Sequence, residues 1–108
     1  MEPFDIIEQG PRMFLVRGEL DMATADRLSS ALAPAVEEGG PITLDISRLT
    51  FIDSTGLHAV ADAAASLKGR GCIIMHGLDG SRSVQTVFEL TQIGKVRNIH
   101  VIPCDVIA

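Results

Sequence analysis

The side chains best suited to take part in a reaction lie close together in this sequence, at Asp53, Ser54, Thr55 and His58. Apolar residues at helical spacing begin at Leu57, so Ser54 is predicted to lie at or next to the N-cap of a helix. A serine in that position ordinarily serves only as the cap. Free N–H groups and the positive end of the helix dipole also favour an anion there, which makes the Ser54 hydroxyl a candidate phosphate acceptor.

Two other assignments compete for the same residues. Thr55 is the nearest alternative hydroxyl, but one residue further into the helix it is expected to point elsewhere. A serine nucleophile assisted by His58 and Asp53 would make a hydrolase. The nucleophile elbow of hydrolases has glycine at the position of Ile52, and His58 lies one turn up the helix, where it faces solvent rather than Ser54. The pattern therefore favours a modified or partner-binding surface over a catalytic centre.

Asp21 and Asp53 each follow a predicted strand. If those strands are parallel, both carboxylates lie at the edge where the ligand sites of open α/β sheets gather. The alternative is that each aspartate merely caps a turn, and for Asp21 the sequence leaves both interpretations open.

The elements that position these residues alternate regularly after an initial hairpin. Strands are predicted over residues 4–8, 12–17, 42–46, 72–76 and 99–102, and helices over 22–38, 54–68 and 82–90. Asp21 or Thr24 can cap the first helix, and Gly39 follows its end. Repeated strand–helix–strand units require parallel strands with right-handed crossovers. The predicted fold is α/β: an N-terminal hairpin plus parallel strands, in a mixed sheet of about five strands with helices mainly on one face.

Composition narrows the possible functions. The 108 residues are expected to form a single domain, 1–108, and they carry a formal net charge of −5 at pH 7. Only nine Lys and Arg are present, and they are scattered, so direct nucleic-acid binding is not expected. No signal peptide and no run of eighteen apolar residues is visible, which predicts a cytoplasmic protein without direct membrane insertion.

No motif for a metal or cofactor is present, and none is predicted. His58, His76 and His100 lack the spacing of a metal site, and residues 77–81 fall short of a nucleotide-binding loop. Cys72 and Cys104 are predicted to remain free thiols, because parallel strands would place them at opposite ends.

Three segments of the chain resemble one known family. Residues 49–57, LTFIDSTGL, resemble the signature of STAS domains, and most closely that of the bacterial anti-sigma factor antagonists. Residues 18–21, GELD, resemble the second family motif, and residues 84–91, VQTVFELT, resemble the last amphipathic helix. The resemblance covers residues 4–102 and implies the STAS fold. Antagonists of this family often carry one more C-terminal helix, which is not evident here.

The resemblance also implies a non-enzymatic switch. The unphosphorylated domain would bind an anti-sigma factor that is also a serine kinase, and would thereby free a sigma factor. Phosphorylation of Ser54 with ATP brought by that kinase would end binding, and a PP2C-type phosphatase would restore it. The implied partner-binding residues are Glu19, Asp21, Asp53, Ser54, Thr55, Gly56 and His58. Two alternatives remain open: an accessory subunit of a membrane transporter, and a scaffold subunit of a stress-sensing complex.

Overall fold

A computed structural model of the chain describes residues 3–96 and 98–102. Cys104, which was predicted to remain a free thiol, lies outside these residues. One sheet has the order β1 (Asp5–Gly10), β2 (Met13–Leu20), β3 (Ile42–Ile52), β4 (Ile73–His76), β5 (Ile99–Val101). The connecting helices are α1 (Ala25–Glu38), α2 (Ser54–Ser66) and α3 (Arg82–Thr91). β1 and β2 form an antiparallel hairpin, and β2 to β5 are parallel. The predicted fold class and element order are confirmed.

The core lies between one face of the sheet and the three helices. Alternate positions of the strands are apolar and buried, and they pack in one cluster with the apolar stripes of the helices. The strands contribute Phe14, Val16, Ile42, Leu44, Ile73, Met75 and Ile99; the helices contribute Leu28, Leu32, Val60, Ala64, Val84 and Phe88. The intervening strand residues, such as Thr43 and Ile74, are only partly buried. The helices therefore cover mainly one face, as predicted.

The prediction was wrong about the length of β3, which continues six residues beyond the predicted end at Ile46. β2 likewise runs on to Leu20, and the two strands stay paired while their register shifts twice. At each shift β3 has one residue more than β2, which is a β-bulge. After Ile46 the next buried apolar residues of β3 are therefore three positions apart, at Leu49 and Ile52. The period of two that identifies a strand is lost there.

α1 begins three residues later than predicted, with Thr24 at its N-cap. Two short 3-10 helices, Leu78–Gly80 and Ile93–Lys95, were not predicted. The other boundaries agree with the prediction to within two residues.

Arg12 connects three segments of the chain at the edge where the parallel strands begin. It lies in the turn between β1 and β2 and has a φ of 64°. Its guanidinium donates hydrogen bonds to the carbonyl oxygens of Ala35 at 2.9 Å, Gly40 at 2.6 Å and Pro41 at 2.8 Å. The hairpin, the end of α1 and the approach to β3 are thereby joined at one point.

Candidate functional site

The predicted site residues lie at the opposite edge, where β2 and β3 end. The last residues of these strands, Leu20 and Ile52, are paired in the ladder. The Leu20 carbonyl also accepts a hydrogen bond from the N–H of Asp53 at 3.2 Å. Asp21 and Asp53 thus follow directly on two paired residues, in strands about 4.8 Å apart. We call residues 19–24 and 51–58 the Ser54 corner.

Asp53, rather than Ser54, is the N-cap of α2. Its backbone is extended, with φ −118° and ψ −174°, and its Oδ1 accepts a hydrogen bond from the N–H of Gly56 at 3.0 Å. Ser54 is the first residue of the helix, next to the cap, and its side chain is exposed. Thr55 is partly buried. The cap therefore leaves the Ser54 hydroxyl at the surface, beside the free N–H groups of the first helical turn.

Gly56 lies beneath this surface and allows α2 to begin so close to β2. It is buried, and a Cβ atom added to it would lie 2.7 Å from both the Cγ and the carbonyl oxygen of Leu20. Such distances are below van der Waals contact, so no larger residue fits without movement. The absence of a side chain at Gly56 therefore helps to fix the position of Ser54.

Asp21 is held in a tight turn between β2 and α1. Its Oδ1 accepts a hydrogen bond from the N–H of Ala23 at 3.0 Å, and its carbonyl accepts from the N–H of Ala25 at 2.8 Å. Thr24 Oγ1 accepts from the N–H of Asp21 at 2.9 Å and donates to the carbonyl of Glu19 at 2.8 Å. One oxygen of the Asp21 carboxylate thus does close a turn, which was the alternative that the sequence left open.

Sequence reasoning missed three residues of the corner. Thr24 was considered only as a helix cap, whereas its hydroxyl holds the turn together. Met22 and Phe51 are apolar side chains that remain 78% and 42% exposed. Spacing gave no signal for the exposure of Met22, because it lies three residues before the buried Ala25, as a core-facing helical residue would. Among the predicted residues, His58 is exposed and Glu19 is partly buried.

Within residues 3–96 and 98–102, no group of three or more His, Cys, Asp or Glu side chains is arranged to hold a metal ion. None of the helices in that part of the chain is both long and apolar enough to cross a membrane.

Comparisons with known proteins identify the family of the chain. A family model described as "Mlab, STAS domain" matches residues 9–101. The anti-sigma-B factor antagonist of Listeria monocytogenes is 33% identical over 86 residues, which cover 78% of this chain and 74% of that protein.

Two solved structures share the fold at low sequence identity. The anti-sigma factor antagonist SpoIIAA in its unphosphorylated form has a TM-score of 0.64 and 20% identity, over 94% of this chain and 89% of that one. A sulfate transporter family protein from Wolinella succinogenes has a TM-score of 0.65 and 20% identity, over 89% and 80%. With a family match that spans most of its length and a relative one-third identical, this chain belongs to the STAS domain family.

Proposed function

We propose that this protein is a non-enzymatic, cytoplasmic anti-sigma factor antagonist, switched by phosphorylation of Ser54. The Listeria relative bears that role in its name and is similar over most of both chains. The observation that carries the proposal is the position of Ser54: an exposed hydroxyl on the first residue of α2, next to an aspartate that already caps the helix.

In the unphosphorylated state, the Ser54 corner binds an anti-sigma factor, which then releases its sigma factor. That partner is also a serine kinase, and it brings the Mg-ATP used to phosphorylate Ser54. A PP2C-type phosphatase removes the phosphate and returns the antagonist to its binding form.

The phosphate weakens binding but not the fold, because its surroundings differ in the free and bound states. It adds about 1.5 to 2 negative charges at pH 7. In the free protein, the N-terminus of α2 offsets this charge by about 0.3 to 1 kcal/mol. In the complex the charge is buried near Asp21 and Asp53, and an unpaired buried charge costs about 3 to 5 kcal/mol. A cost of about 3 to 5 kcal/mol corresponds to a loss of about two to four decades of affinity.

The test is binding of the purified chain to an anti-sigma factor kinase encoded in the same genome. Ser54→Ala should bind as the wild type does and should no longer be released by ATP. Ser54→Asp should bind at least about ten-fold more weakly, since its carboxylate is buried without a partner.

Thr55→Val is the control for the phosphate acceptor alone, because it removes the neighbouring hydroxyl and leaves Ser54 in place, so phosphorylation should persist. Phosphate on Thr55 in peptide mapping would overturn the assignment of Ser54. Equal affinity of the Ala and Asp variants would overturn the switch.

The fold alone does not decide between this role and the two alternatives, since a sulfate transporter family protein has the same architecture. An accessory subunit of a transporter or a scaffold subunit would present the corner constitutively. Its binding to its own partner would then not respond to ATP and a kinase.

A further inference from the structure

Two of the exposed apolar side chains lie in the Ser54 corner. Six large apolar residues are exposed in the described part of the chain: Ile7, Met13, Met22, Phe51, Leu90 and Val96. Single exposed apolar residues are ordinary on protein surfaces. Met22 and Phe51 differ from the other four because both lie within two residues of the Leu20–Ile52 pair that builds the corner.

Met22 is presented by a turn that is closed by its neighbours. The backbone N–H of Asp21, Ala23 and Thr24 and the hydroxyl of Thr24 all make hydrogen bonds inside the turn. The Met22 side chain is nevertheless 78% exposed. A side chain held out on a fixed backbone loses little further conformational freedom in the backbone on binding, which favours affinity. The flexible thioether can also adapt to the shape of a pocket.

Phe51 reaches the surface from the end of β3. It pairs with Glu19 across the ladder, while the next residue, Ile52, is 1% exposed and points into the core. Phe51 is 42% exposed. Aromatic side chains at such positions commonly contribute a large share of binding energy when a partner covers them.

The charges around these two residues indicate what kind of surface covers them. Residues 19–24 and 51–58 contain three carboxylates, Glu19, Asp21 and Asp53, and neither Lys nor Arg. A complementary surface therefore combines an apolar pocket with basic side chains at its rim.

We propose that Met22 and Phe51 are the apolar anchors of the Ser54 corner, and that they insert into an apolar pocket with a basic rim on the anti-sigma factor. This inference rests on the proposed function and names the contacts that give it affinity. The anchors also strengthen the effect of phosphorylation on binding. Because they exclude water, they lower the local dielectric, so the carboxylates of the corner repel the phosphate on Ser54 more strongly than they would at a hydrated surface.

The experiment measures by calorimetry the affinity of single variants for the purified anti-sigma factor that binds the wild-type chain. Met22→Ser and Phe51→Ser should each weaken binding about ten-fold or more, while Met22→Leu, which keeps the apolar volume, should stay within about three-fold. Leu90→Ser is the matched control, because Leu90 is 79% exposed on α3. It should leave the affinity unchanged.

A kinase assay supplies a second measurement on the same variants. Met22→Ser should raise the KM for phosphorylation of Ser54 and leave kcat unchanged, since the turn that carries Met22 does not hold the hydroxyl. Thermal melting identifies any loss of folding in Phe51→Ser. If that variant is unstable, the comparison of Met22→Ser with Met22→Leu decides whether an apolar side chain is needed for binding.

The outcomes separate this inference from the function on which it rests. If Ser54→Asp weakens binding but Met22→Ser and Leu90→Ser both bind as the wild type does, the anchors are wrong and the switch stands. If the wild-type chain binds no anti-sigma factor, both fall. If Met22→Ser instead abolishes a dimer of the free chain in sedimentation and leaves the affinity for the anti-sigma factor unchanged, the anchors serve a second copy and the inference is overturned.

Discussion

Asp53 and Ser54 are neighbours with separate tasks, one structural and one proposed to be regulatory. Asp53 Oδ1 satisfies a free N–H of α2, and Ser54 takes no part in the cap. We therefore expect Asp53→Ala to lower the free energy of unfolding by about 0.5 to 2 kcal/mol, and Asp53→Asn to lower it less. Ser54→Ala should change it by less than about 0.5 kcal/mol, as is usual at an exposed position. Urea unfolding of the three variants measures this, and a larger loss for Ser54→Ala would reverse the two assignments.

Gly56 is the second residue of the corner whose replacement has a predictable cost in stability. Alanine favours a helix interior by about 1 kcal/mol over glycine. At this position its Cβ would lie 2.7 Å from the Leu20 side chain and carbonyl, and overpacking of this kind costs about 1 to 3 kcal/mol. We expect the steric cost to prevail, so that Gly56→Ala melts at a lower temperature than the wild type and is phosphorylated more slowly at Ser54. A variant that melts higher would show that α2 moves away from β2 without cost.

At the scale of elements, the connection between β2 and α1 depends on one hydroxyl. Thr24→Val keeps the shape of the side chain but removes the partner of the Asp21 N–H and of the Glu19 carbonyl. The expected loss is about 1 to 3 kcal/mol of unfolding free energy, which is the cost of leaving such groups unsatisfied. Thr24→Ser keeps the hydroxyl and is the control. Equal stability of the Val and Ser variants would mean that water replaces the bond.

The order of the elements was predictable because it depends on local signals. Alternating apolar residues, helical stripes and glycines at helix ends identify each strand and helix without knowledge of its neighbours. The second half of β3 was not predictable in this way. Its buried residues, Ile46, Leu49 and Ile52, follow the register of β2 through two bulges, and a bulge is defined only by the paired strand.

The site was predictable to a similar extent. Ser54 and Asp53 could be placed because a strand ends and a helix begins there. The exposure of Met22 depends on how the turn from Asp21 to Thr24 closes, which involves hydrogen bonds among three of its residues and the carbonyl of Glu19. Single residues and their spacing do not determine that closure, so the apolar part of the corner became visible only in the structure.

On the scale of the whole molecule, the two edges of the sheet have different roles. The Ser54 corner lies at the edge where the parallel strands end, and Arg12 joins three segments at the edge where they begin. Arg12→Ala should lower the free energy of unfolding by about 2 to 3 kcal/mol, because carbonyl oxygens lose hydrogen bonds to a charged group. Affinity for the anti-sigma factor, measured below the melting temperature, should stay the same. Arg82→Ala, at an exposed position, is the control and should change stability by no more than about 0.5 kcal/mol.

The position of Arg12 has a consequence for the level of the protein in the cell. The proposed antagonist acts by occupying its target, so its effect depends on how many folded copies are present. A loss of 1 to 2 kcal/mol in stability can change the abundance of a protein by about several-fold, because the unfolded fraction is degraded. Natural variation at residue 12 would therefore shift the amount of target that the folded copies of the protein can occupy. It would do so without changing the affinity or the phosphorylation of any single copy.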